Sequence, residues 1–184
     1  MKEIKEFFTT DERAYVMYAD SNVAEVTEKS NELIEVILEK VENFYPEAHD
    51  ALKEWYKRSM LNLPYAKFLM AQRFIKCNFG ELDTTEDDIS QEGTFNFERV
   101  KCPMRGECKF EGIVCNPLFN SRLSKAELRV MELYYRNEKI EKIADALYLS
   151  GHTVKNHIKS AFAKLGIHSQ GEFISYANKN HLFD

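Results

Sequence analysis

Residues 123–167 read LSKAELRVMELYYRNEKIEKIADALYLSGHTVKNHIKSAFAKLGI, and three helices are written into them. Ser124 followed three positions on by Glu127 is a capping box: the hydroxyl accepts from the amide of residue 127, and the carboxylate returns to the amide of residue 124. The helix that starts there carries Leu128, Met131, Leu133 and Tyr135 toward a core. It ends near Asn137, a residue that tolerates the left-handed backbone of a helix terminus. A second, short helix over IEKIADALYL sets Ile140, Ile143, Ala144 and Leu147 on one side. Ser150 then caps a third, in which Val154, Ile158, Phe162 and Leu165 recur at spacings of four, four and three.

The opposite face of that third helix offers Lys155, Asn156, Lys159 and Ser160. Two helices joined by a short turn, the second polar and cationic outside, meet the requirements of major-groove reading. A helix fits the groove, amides and ammonium groups meet base edges, and lysines neutralise phosphates. A charged stripe on a helix is most often only a solvated surface. Here the order of cap, turn residue and cationic helix favours nucleic acid over that reading.

Together Leu123, Glu127, Ile143, Ala144, Ser150, Thr153, Val154, His157, Lys164 and Leu165 make the stretch resemble the LuxR-type, or GerE-like, helix-turn-helix domain. The resemblance covers about the last third of the chain. It implies four helices, with residues 151–165 as the recognition helix and 169–179 as the helix through which such domains pair on DNA. It further implies base contacts from Lys155, Asn156 and Lys159, and contacts to the DNA backbone from His152, Thr153 and Lys164. Asn137 stands where the family usually has glycine, a change its backbone tolerance accommodates. His157 lies at the edge of the buried face and reads as a packing residue.

Upstream, Val23, Val26, Leu33, Ile34, Ile37, Val41 and Phe44 fall at helical spacings, which predicts one helix from Asn22 to Phe44, stopped by Pro46. Further helices are expected over 47–60 and from Pro64 through Ile75, with Cys77 at or just past the end. The fold class expected is therefore all-α: a helical sensor or interaction domain over 1–120, then a four-helix helix-turn-helix domain over 121–184. Between them runs a stretch rich in acids and turn formers, broken at Gly80 and Gly93, some forty residues long with the cysteine-bearing segment.

The chain has 184 residues, 44% hydrophobic and 30% charged, and no apolar run reaches the 18 or so residues of a membrane span. Its start, MKEIKEFFTTDER, does not read as a signal peptide, so a cytoplasmic protein is expected. The net charge of -5 conceals an asymmetry. Residues 1–120 hold 15 Lys and Arg against 23 Asp and Glu, whereas 121–184 hold 10 against 7. A basic unit on an acidic one fits a DNA reader joined to a sensor or protein-partner domain.

The four cysteines are Cys77, Cys102, Cys108 and Cys115, with 24, five and six residues between them. In a reducing compartment such a set reads as metal ligands or redox groups before disulfides. Four thiolates satisfy the count of a structural zinc site, but no pair has the two-to-four-residue spacing of a zinc knuckle. Wider gaps suit an iron–sulfur cube. The three later cysteines are spaced similarly to those of iron–sulfur regulators of the Rrf2 family, and Cys102-Pro103 is similar to the Cys-Pro of ferredoxin motifs. Lys101, Arg105 and Lys109 are placed to lower thiol pKa values, and Gly106 and Gly112 to let amides approach sulfur. The competing reading is four small buried hydrophobes, for which a polar, glycine-containing loop offers little core.

No catalytic constellation emerges. The run Asp83, Glu86, Asp87, Asp88 lacks the ligand pattern of a calcium loop, and phosphate-cradling loops, nucleophile elbows and His-Glu-x-x-His motifs are missing from the sequence. The expectation is a non-enzymatic, one-component, sequence-specific transcription regulator that binds double-stranded DNA as a homodimer. It is gated by metal or redox state at Cys77, Cys102, Cys108 and Cys115, which hold an iron–sulfur cluster or zinc. The alternative is a helical adaptor with a structural metal clip and no specific affinity for DNA.

Overall fold

The computed structural model describes residues 2–83, 87–90, 94–180 and 182–183; Glu86 and Gly93 lie outside them. The chain divides into two compact units, Met1–Leu118 and Phe119–Asp184.

The first unit opens on a sheet. Strands β1 (Ile4–Thr10), β2 (Arg13–Tyr18) and β3 (Val23–Glu25) pair antiparallel in the order β1-β2-β3, which overturns the expectation of an all-α chain. The hairpin between β1 and β2 turns on Asp11 and Glu12, with φ of 48° and 61°, the double left-handed geometry of a type I′ turn. Sequences normally announce that turn with Asn-Gly or Asp-Gly, and here two acidic residues take its place. A register shift between Ile4 and Glu6 also breaks the alternation, leaving Glu6 and Phe7 both buried.

Helix α1 spans Asn31–Phe44, so it starts later than the apolar spacing predicts. Val23 belongs to β3, and the amide of Val26 donates to the Ala14 carbonyl at 2.8 Å. Pairing with β2 satisfies the backbone that helical periodicity would have claimed. Helix α2 (Pro46–Trp55) gives way to a 3-10 turn at Lys57–Leu61. Helix α3 runs Leu63–Asn78, with Asn62 Oδ1 accepting from the Tyr65 amide and Pro64 in the first turn.

Ile37, Val41, Leu52 and Ile75 pack into a core continued by an aromatic cluster, in which Phe7 lies 5.2 Å from Phe79 and Phe74 lies 5.2 Å from Phe95. The segment after α3 completes that core and covers the free edge of β1. Thr9 N donates to the Gly80 carbonyl and Asp88 N to the Lys5 carbonyl, each at 2.8 Å, while Phe7 N donates to Asp88 Oδ2. Backbone groups that an open edge would expose are thereby paired.

The second unit consists of α4 (Lys125–Tyr135), α5 (Ile140–Leu147), α6 (Gly151–Leu165) and α7 (Gln170–Lys179). Both halves of the capping box at Ser124 are present, and Ser150 and Ser169 cap α6 and α7 by accepting from Thr153 N and Glu172 N. Asn137, at φ 61°, makes the left-handed turn after α4 that its position requires. One core cluster joins Leu123, Met131, Ala161, Phe173 and Ala177, and another joins Val130, Ile143, Ala144 and Val154. Phe173 is fully buried, and truncating such a ring costs about 3–5 kcal/mol. Among the described residues no helix is long and apolar enough to cross a membrane.

Candidate nucleic-acid interface and the cysteine-bearing segment

The three-residue turn between α5 and α6 sets the angle of the helix-turn-helix. Tyr148 ends α5 in the left-handed region at φ 55°, and Ser150 Oγ accepts the Thr153 amide at 3.0 Å to start α6. One side of α6 is anchored by buried Val154 and Ala161 and half-buried Ile158. Lys155, Asn156 and Lys159 stand exposed on the other and make no hydrogen bond or ion pair among the described residues. His152 is exposed in the first turn, and the Thr153 hydroxyl lies 2.8 Å from that of Ser150. His157 is half-buried.

Two side chains of α6 turn inward instead. Ser160 Oγ donates to Glu127 Oε1 at 2.7 Å, and Lys164 Nζ sits 2.6 Å from Glu127 Oε2, which also accepts the Ser124 amide. The ammonium and hydroxyl donors hold the Glu127 carboxyl well below the usual range, at about 2. Glu127 is therefore more than a cap: it ties the start of α4 to the end of α6. The i to i+3 cap spacing reveals only half of that role.

This arrangement invites comparison with known proteins. Residues 121–177 match the luxR family of bacterial regulatory proteins. The spore germination protein GerE of Bacillus subtilis (strain 168) is 36% identical over 52 residues, 28% of this chain and 70% of that protein. The chain belongs to the luxR family. Transcriptional regulatory protein LiaR of the same organism is 27% identical over 97 residues, so the match spans 46% of this chain and 46% of LiaR. No solved structure matches. Membership of the luxR family assigns the second unit to DNA-binding transcriptional regulation.

The cysteine segment lies in the first unit. Cys77 occupies the last turn of α3, not a position past its end, and Cys102, Cys108 and Cys115 follow in successive tight turns. All four are free and partly buried. The turns close through Arg105 N to the Cys102 carbonyl, Cys108 N to the Met104 carbonyl and Glu111 N to the Cys108 carbonyl, with Gly106 and Gly112 at positive φ. Gly112 N approaches sulfur, donating to Cys115 Sγ at 3.4 Å, whereas Gly106 N donates to Glu111 Oε2.

Two residues that sequence reasoning missed hold this segment. Fully buried Asn78 donates from Nδ2 to the Val114 carbonyl at 2.9 Å and accepts Asn116 N at 2.7 Å, gripping the chain on both sides of Cys115. Arg73, one helical turn before Cys77, packs over the Trp55 ring at 4.8 Å and donates to Tyr56 Oη at 3.0 Å. Burial pushes the Cys77 thiol up to about 11 against the pull of Arg73, so the cations expected from the loop do not set its charge state. Trp55 also stacks on Phe110, centroids 4.4 Å apart, pinning the loop's midpoint. The i, i+4 spacing of Arg73 and Cys77 was the signal available in sequence. Among the described residues no three His, Cys, Asp or Glu side chains stand close enough to hold one metal ion.

Proposed function

We propose that the protein is a one-component, sequence-specific transcription regulator, cytoplasmic, reading double-stranded DNA with α6 as a homodimer paired through α7. Lys155, Asn156 and Lys159 carry the reading: three exposed donors, unpaired within the chain, stand on the outer side of a capped and anchored helix. Groups left without an internal partner on a rigid element are those an external acceptor can use. His152, Thr153 and Lys164 contact phosphates beside them. The acidic front unit senses a state at Cys77, Cys102, Cys108 and Cys115 and passes it to the DNA reader.

The relatives support this reading, one being named a transcriptional regulatory protein. The test is selection of a binding sequence from random duplexes, followed by titration over a range of salt. A selected site bound far more tightly than bulk DNA, with affinity falling steeply as salt rises, is the expected result. Indifference to DNA at low salt overturns the reading and favours an adaptor that keeps the fold without the activity.

A further inference from the structure

We infer that Cys77, Cys102, Cys108 and Cys115 ligate an iron–sulfur cluster rather than a single zinc ion. This rests on the reading of the cysteine segment as a sensor and names its ligand.

Three observations carry it. First, the four thiols share one locality: the charge of Cys77 is coupled to those of Cys115, Cys102 and Cys108. Yet no three of them converge on a point, as a tetrahedral zinc with sulfur at about 2.3 Å demands. A cluster distributes its thiolates over several irons and accepts ligands that surround a volume. Cys77 and Cys115 line a cavity of about 370 Å³ together with Arg99, Arg105 and Gly112.

Second, the locality is built to receive negative charge. Arg73 is half-buried, has only the Trp55 face and the Tyr56 hydroxyl as partners apart from the thiols, and interacts with the charges of Cys77 and Cys108. No carboxylate pairs with it among the described residues. A buried guanidinium without an anion is costly, and a tetrathiolate cluster supplies that anion.

Third, the segment is held in place by protein contacts and not by the sulfurs themselves. Asn78 fixes the chain around Cys115, the Trp55–Phe110 stack fixes the chain after Cys108, and Gly112 N already donates to Cys115 Sγ. Amide donors to cysteine sulfur are a means by which proteins tune such clusters. Ligation releases four thiol protons to solvent as four sulfur–iron bonds form, with ferrous iron and sulfide supplied from the medium.

The test is iron, zinc and acid-labile sulfide analysis of the full chain purified without oxygen, and again after reconstitution with ferrous iron and sulfide. Equal iron and sulfide, at two or more of each per chain, with a brown colour lost in C77S and C115S, is expected. Zinc at about one per chain without sulfide overturns the inference, as do four freely alkylated thiols with neither metal after reconstitution. DNA affinity measured with and without the cluster separates the two readings. A cluster whose removal leaves affinity unchanged removes the sensor role and keeps the ligand assignment.

Discussion

Glu127 on α4 and Lys164 on α6 meet at 2.6 Å, and the carboxylate is only 4% exposed. With its pKa near 2, below the ordinary value of 4.5, Glu127 contributes stability that is complete above pH 4.5 and lost as pH falls toward 2. E127Q removes the charge that three donors share and should destabilise the second unit by about 2 kcal/mol at neutral pH. Thermal melts between pH 2 and pH 7 check this. An equal slope in the variant and the parent contradicts it.

Lys155 and Lys159 touch nothing in the chain, so K155A and K159A should leave thermal stability within about 0.5 kcal/mol of the parent. Each should weaken binding to a selected duplex by about 1–3 kcal/mol where a base contact is lost. K164A should differ in kind, lowering the melting temperature by leaving Glu127 without its cation. Paired melts and anisotropy titrations separate the two classes. Parental affinity in both K155A and K159A removes α6 as the reading element.

The C-terminal unit was legible because its signals are local. Ser124 with Glu127 and Ser150 with Thr153 are contacts three residues apart, and the apolar rows lie within single helices. The front unit depends on contacts distant in sequence. Its hairpin turns on Asp11-Glu12 without glycine, its edge is covered by Gly80 and Asp88, and buried Glu6 interrupts the strand pattern. The cysteines were visible by count and spacing. Asn78 and Arg73, which position them, look in sequence like ordinary polar residues of a helix and gain meaning only where the loop returns.

Asp88 is 3% exposed, and burial, reinforced by Glu98, Glu6 and Asp83, pushes its carboxyl up to about 8 despite the donation from Phe7 N. Between its ordinary value of 3.8 and pH 8 the folded chain keeps a proton that the unfolded chain has released. Rising pH therefore destabilises the first unit across that window. D88N keeps an oxygen for the Phe7 amide and needs no proton. It should flatten the decline between pH 5 and pH 8 and exceed the parent in stability at pH 8, as urea melts will show.

Asn78 makes three side-chain hydrogen bonds in a fully buried site, to the Phe74 and Val114 carbonyls and from the Asn116 amide. N78A strands the Val114 carbonyl and the Asn116 N–H and leaves a small void, for about 2–4 kcal/mol of lost stability. N78D keeps the acceptor for Asn116 but loses both donors and buries a charge, so it should be the worse variant despite its closer shape. Because Asn78 grips the chain either side of Cys115, either change should also speed alkylation of Cys115 in the metal-free protein more than that of Cys102. Mass-resolved alkylation rates measure this. Equal acceleration at both thiols means global unfolding, whereas selective acceleration at Cys115 shows that Asn78 positions that sulfur.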